Sequence, residues 1–286
     1  RKPPGKLLKS AHAVDRECRV MTALHDTDVP VPKTFGYCDD ETIIGTPFFV
    51  MDHVIGNIYW ELLLPGCDPN QRREIYLSMN DTIAKLHNVD FDKVNLADYG
   101  KHENYMDRQI HRWTKQYKDS ETQMIPEINE LIEWLPKNIP SDQETTIVHG
   151  DFRLDNMIFD PITHEVKAIL DWELSTLGNP IADFTYHMMS WRLPAGAKGL
   201  GMMGSDLKSL NIPSENEYAE LYYKKTGREK IDNWDFYMAY NIFRLAGIAQ
   251  GIVGRVRDGT ASSSEAKNYE AFVPILGKLG WSIVEG

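Results

Sequence analysis

Asp151, Asn156 and Asp171 are the residues of this chain whose types and spacing could do chemistry. A carboxylate, a carboxamide five residues on and a second carboxylate beyond a short hairpin suit a hard cation that also holds phosphate. Mg²⁺ takes few protein oxygens and completes its shell with water and phosphate. Asp151 is then left to receive the proton of a hydroxyl. The stretch that carries them, residues 147–173, reads as a polar loop followed by a β-hairpin. Residues 157–160 and 166–170 are short apolar runs, and Asp160-Pro161 with Thr163 and His164 supplies the turn. On residue types alone, a buried polar hairpin without chemistry is the alternative.

The order His-x-Asp-x-x-x-x-Asn, a hairpin and an Asp resembles the catalytic loop and metal-binding Asp of protein kinases. The form His149-Gly150-Asp151 with Asp171-Trp172-Glu173 is similar to the aminoglycoside phosphotransferase and choline kinase family, kinases of small molecules. That resemblance implies an α+β, protein kinase-like fold of two lobes. A small β-rich N-lobe, residues 1–54 and incomplete at its start, precedes a larger, mainly helical C-lobe, residues 55–286. It implies ATP and Mg²⁺, with Asp151 orienting and deprotonating an acceptor hydroxyl and Asn156 and Asp171 holding the metal. Arg153, where protein kinases place a Lys, would touch the γ-phosphate. Met51, Asp52, His53 and Val54 would form the hinge whose backbone binds adenine. His149 and Asp183 would brace the loop, and Glu173 would reach a metal-bound water or a substrate amine.

Residues 5–17 look much like a subgroup that includes domains fused ahead of acyl-CoA dehydrogenases. On its own, Glu17 reads as a solvated charge flanked by Arg16 and Arg19. The resemblance makes it the partner of a strand-borne cation, Arg1 or the residue after it, and puts the glycine loop upstream of residue 1.

Composition excludes several classes. Net charge is −11, from 31 basic and 42 acidic residues spread over both halves, which disfavours nucleic acid and anionic membranes as partners. Cys18, Cys38 and Cys67 are widely spaced without a Cys-x-x-Cys pair, as suits a reducing cytoplasm. No apolar run approaches the roughly 18 residues of a membrane span, and the start is not signal-like. Gly-x-Ser-x-Gly, zinc-binding His clusters and Walker loops are missing. Gly199–Gly204 spells Gly-x-Gly-x-x-Gly but lacks the strand before it and the helix inside it that a dinucleotide site needs. A mobile substrate-side loop is the expectation there.

The elements that must position these groups follow from periodicity and caps. Ser10 opens a helix to about residue 25, with Val14, Cys18, Met21 and Leu24 on one stripe. Residues 35–37 and 46–54 read as strands with a turn at 39–41, the second a central strand. From Asn57 the pattern turns helical. Asp68 or Asn70 opens a helix to about residue 87, with Ile75, Met79, Ile83 and Leu86 on its buried face. Further helices are predicted over 104–118, 126–135, 180–189, 214–225, 234–256 and 264–279, and a loop over 174–179. His87 and His111 have no metal-ligand spacing and read as packing or surface residues. The substrate implied by the dehydrogenase-linked subgroup is a hydroxy acid or hydroxyacyl thioester, for whose anionic end Arg192, Arg244, Arg255 and Arg257 are candidates. The alternatives are an aminoglycoside or amino-alcohol kinase and a nucleotide-binding pseudokinase.

Overall fold

α1 (Val14–Leu24) buries Val14, Cys18, Met21 and Leu24, the stripe their spacing predicts. The computed structural model describes residues 14–141, 144–196, 199–259 and 269–286. The helix start at Ser10 and the cation at Arg1 lie outside the described residues. Beyond α1, β1 (Thr34–Cys38) pairs antiparallel with β2 (Phe48–Met51). Between them the predicted turn is a one-turn helix, α2 (Glu41–Ile44), capped by Asp40 and ended by Gly45 at φ 82°. β2 stops at Met51 instead of running to residue 54 and, among the described residues, pairs only with β1. Asp52 N–H still donates to Lys33 O (2.8 Å) just past the strand, and further on Asn57 exchanges both backbone bonds with Phe159 (2.8 and 2.9 Å). Residues 57–67 are therefore a bridge and turns, not helix.

α3 (Pro69–His87) starts at a reciprocal cap. Asp68 Oδ1 accepts from the Asn70 and Gln71 amides, and Gln71 Oε1 accepts from Asp68 N–H at 2.9 Å, a device worth about 1 kcal/mol. Ile75, Met79, Ile83 and Leu86 are fully buried, each stabilising the fold by roughly 1.5–3 kcal/mol. Next come α4 (Tyr105–Ser120) and α5 (Pro126–Trp134). β3 (Thr146–Val148), β4 (Met157–Phe159), β5 (Val166–Ile169) and β6 (Thr176–Gly178) follow. β4 and β5 form the predicted hairpin, whose turn is held by Asp160 Oδ1 accepting from Ile162 and Thr163 N–H. The predicted loop at 174–179 contains β6, which pairs with β3. A three-residue strand whose partner is distant in sequence leaves no period to read.

α6 (Pro180–Met188) begins at proline as predicted, with Asn179 capping Ala182 N–H. α7 (Glu215–Thr226) is capped by Ser214, and α8 (Trp234–Arg257) follows. α9 (Phe272–Glu285) overlaps the helix predicted over 264–279, of which residues 264–268 lie outside the described residues. Its Pro274 falls in the first turn, where the missing N–H has no helical partner to lose. Gly201–Met203 is pinned: Met202 N–H donates to Ser190 O and Met203 N–H to Leu193 O, while Ala197 and Lys198 lie outside the described residues.

These elements fall into two compact units. The first takes residues up to 101 together with 145–230. The second takes 102–144 and 231–286. Within the second, α4 and α8 meet at Gly254, where a Cβ would come within 2.7 Å of Ser120 Cβ. Gln250 Nε2 donates to Ser120 O and Gln116 Nε2 to Gly247 O across the same seam. Met188, Met189, Trp191, Tyr237 and Tyr240 are all buried, as the core reading expects. The three cysteines are free, and no helix of the described residues is long and apolar enough to cross a membrane.

Candidate active site

β3 delivers the loop that starts at His149, and α6 shapes it. Gly150 sits at φ 82°, and a Cβ there would lie 2.7 Å from Leu174 O, so a side chain would meet both backbone strain and a collision. The N–H groups of His149 and Gly150 donate to Asp183 Oδ2 and Oδ1, each at 2.8 Å. His87 Nε2 reaches Asp183 Oδ2 at 3.2 Å and His87 Nδ1 meets Tyr222 OH at 2.7 Å. Burial alone would raise the Asp183 carboxyl. Hydrogen bonding and charge from His87, the nearby His149 ring and the His149 amide outweigh it and hold the group below the ordinary carboxylate range. The sequence reading of His87 as packing or surface thus misses a buried bond to the loop's anchor.

His149 itself is fully buried. Its Nε2 donates to Leu170 O at 3.0 Å, and its Nδ1 accepts from Asp151 N–H at 3.2 Å. Its ring lies 4.7 Å from that of Trp172. The Asp151 carboxylate, half-buried, is met from three sides. Tyr186 OH donates to Oδ1 at 2.9 Å, Asn156 Nδ2 donates to Oδ2 at 3.1 Å, and Arg153 Nε stands 3.5 Å from Oδ1. Arg153 also binds Asp155 at 2.5 Å. Asp151, Arg153 and Asn156 therefore converge. Tyr186 was not singled out from the sequence; its only signal is its place one turn after Asp183 on one helix.

Asp171 takes the left-handed conformation at φ 64°, ψ 54°, uncommon for a residue with a side chain but most tolerated by Asp and Asn. It opens the turn Trp172–Leu174 against which α1 packs. Glu17, 3% exposed, is buried by that packing although it lies off the apolar stripe. Ligand oxygens of Glu17, Asp171 and Glu173 all lie within 4.8 Å of one another. An all-oxygen donor set of this kind fits a hard divalent cation. Asn156 spends its amide N–H on Asp151, so its ligating atom would be the carboxamide oxygen, and its backbone C=O accepts from Leu170 N–H (2.8 Å) beside Asp171. The structure does not gather the hinge residues in the same way. Met51 and Val54 are half-buried, Asp52 and His53 are exposed, and the Asp52 amide is already committed to Lys33. Among the candidate cations, Arg192 is held by Glu215 through bonds of 2.8–3.1 Å and Arg257 pairs with Asp258 at 2.8 Å.

His187, one residue beyond Tyr186, packs its ring on Phe152 and Trp191 and meets Tyr218 OH at 3.0 Å. Burial pushes its pKa down to about 3, against a smaller upward pull from Asp183. The unfolded chain takes up a proton near pH 6.5 that the folded chain refuses. Stability should therefore fall as pH drops from about 6.5 towards 3, by up to about 1.4 kcal/mol per pH unit. The Asp183 contribution is lost only lower, below about pH 4. Urea unfolding between pH 7 and 4 should show a shallower slope for His187→Gln than for the wild type; parallel curves would remove His187 from this role.

Comparison with known proteins adds three findings. The model of a family described as "Phosphotransferase enzyme family" matches residues 1–220. Acyl-CoA dehydrogenase family member 10 of Mus musculus is 46% identical over 282 residues, 98% of this chain and 26% of that protein's length. The chain thus spans about a quarter of that relative. A solved structure from Ralstonia eutropha, provisionally named an aminoglycoside phosphotransferase, superposes with a TM-score of 0.92 at 48% identity, over 96% of this chain and 84% of that one.

Proposed function

Because the chain belongs to the phosphotransferase enzyme family, we propose that it transfers the γ-phosphoryl group of ATP to a hydroxyl of a small molecule. The observation that carries this reading is the Asp151 carboxylate, held by Tyr186 and Asn156 beside the Arg153 guanidinium. The protein is a kinase-like phosphotransferase by fold and family. ATP as donor, the roles of individual residues and the acceptor are our inference.

Asp151 would align the acceptor hydroxyl and take its proton. Phosphoryl transfer passes through a loose transition state, so alignment matters more than basicity. Arg153 offers a fixed fork of N–H donors to phosphate oxygens. Asn156 and Asp171 would hold Mg²⁺, with Glu17 and Glu173 near it. A bound Mg²⁺ supplies charge neutralisation on the phosphates. The hinge at Met51, Asp52, His53 and Val54 would take adenine through the backbone groups not already committed, and the boundary between the lobes would fall near residue 54. The partners in this reading are a nucleotide and a small alcohol in the cytoplasm, with neither nucleic acid nor membrane.

For the acceptor we favour a hydroxy acid or hydroxyacyl thioester, because the matching part of the mouse relative belongs to a protein named for acyl-CoA dehydrogenation. The provisional name of the Ralstonia structure supports an aminoglycoside instead. ADP release measured against hydroxy acids, hydroxyacyl-CoAs, amino alcohols and aminoglycosides separates them. Turnover confined to the cationic acceptors would end the acyl reading.

The metal assignment has its own check. By calorimetry, ATP should bind the wild type more tightly with Mg²⁺ than without, and Asp171→Ala should lose most of that gain. If both proteins bind ATP equally well with and without Mg²⁺, Asp171 is not a ligand.

A further inference from the structure

Helix α6 contacts four consecutive residues of the loop. Asp183 takes the amides of His149 and Gly150, Tyr186 takes the Asp151 carboxylate, and His187 packs on the Phe152 ring. The first two of these fix backbone and the last packs a ring. Of these three side chains, Tyr186 is the one bonded to the carboxylate that would meet an acceptor. Resting on the phosphotransfer reading above, we propose that Tyr186 is a positioning residue. It occupies Asp151 Oδ1 so that Oδ2 is the atom that receives the acceptor's proton.

A carboxylate has about four lone-pair sites, two on each oxygen. Oδ1 spends one on the Tyr186 hydroxyl at 2.9 Å and faces the Arg153 guanidinium at 3.5 Å. Oδ2 receives the Asn156 amide at 3.1 Å and keeps a second site for a hydroxyl. Tyr186 is 5% exposed, so its ring is fixed by packing and its O–H direction is set by the carboxylate it serves. A short side chain such as Asp has two torsions to fix. Asn156 Nδ2 also donates to the Asp151 backbone O at 2.9 Å, which ties the carboxamide to the loop. Tyr186 on one side of Oδ1 and the Arg153 cation on the other leave Oδ2 as the oxygen with a side open to a hydroxyl. In the transfer step the acceptor oxygen bonds the γ-phosphorus while the bond from the β–γ bridging oxygen to that phosphorus breaks. The bridging oxygen keeps the electron pair as ADP leaves, and the acceptor proton passes to Oδ2.

Tyr186→Phe removes one hydroxyl and keeps the ring. The probe is hydrolysis of MgATP by the full chain, with water as the acceptor. We expect kcat to fall about 10- to 30-fold, the scale of a hydrogen bond to a charged group, with KM for MgATP within about twofold of the wild type. In an Asp151→Asn background the same change should cost less than about twofold, because Tyr186 acts through that carboxylate. A crystal structure of Tyr186→Phe should show the Asp151 carboxylate rotated or in two orientations. Three outcomes overturn the assignment: an unchanged kcat, a full cost retained in the Asp151→Asn background, or an unmoved carboxylate in the crystal. If Asp151→Asn cripples hydrolysis while Tyr186→Phe does not, the role of Tyr186 falls and the phosphotransfer reading stands. If the wild type turns over no MgATP with any acceptor of the panel, both fall together.

Discussion

Asp151→Asn should lower kcat by about 10²–10⁴, the usual worth of a positioned general base, and leave ATP affinity nearly unchanged. The substitution keeps the shape of the side chain, and its amide oxygen can still accept from Tyr186 OH, now 2.9 Å from Oδ1. What disappears is the negative oxygen that can take a proton. Because the transition state of phosphoryl transfer is loose, the smaller end of the range would mean that alignment, which Asn partly preserves, supplies most of the effect. The check is a steady-state assay with the best acceptor found in the panel, alongside calorimetric ATP binding. A kcat within about threefold of the wild type would show that Asp151 is not the base.

The second large effect is on stability. Asp183→Ala should destabilise the protein by about 3–5 kcal/mol, the scale of breaking a buried charged pair. The change strands two loop amides and the His87 ring in a site where Asp183 is only 3% exposed. Asp183→Asn should cost less, because its single carbonyl can still serve one amide. Urea midpoints with unchanged m-values would measure both. A cost below about 1 kcal/mol for the alanine variant would mean that the loop holds its shape without this carboxylate.

What could be read in the sequence was what is local. The hairpin of β4 and β5 was legible because two apolar runs flank Asp160-Pro161, and α3 because its apolar residues recur at helical spacing behind Asp68. The order of Asp151, Asn156 and Asp171 was legible for the same reason, since a loop, a hairpin and a turn hold them close along the chain. The burial of Glu17 was not. It depends on α1 packing against the turn Trp172–Leu174, and nothing within α1 signals that contact. The bonds of His87 and Tyr186 were hidden too, because each joins side chains on elements far apart in sequence. β6 has too few residues to carry a period, and β2 reads too long because the pairing of Asn57 with Phe159, a residue of another strand, leaves no local signal.

The dependence of the loop on α6 also bears on how the protein acquires its activity as it folds. His149 and its anchor Asp183 are 34 residues apart, and Arg16 of α1 reaches Ser175 O across 159 residues. Contacts of such long range form only after the chain has met their loop-closure entropy. During synthesis, a chain whose α6 is still inside the ribosome has His149, Gly150 and Asp151 in place but no carboxylate to hold their backbone. On these contacts the loop is expected to take its shape only once α6 docks, and α1 to join the turn after β5 only once that turn has formed. Partly folded forms that have lost α6 would keep the motif in full without the Asp183 and Tyr186 bonds that hold it.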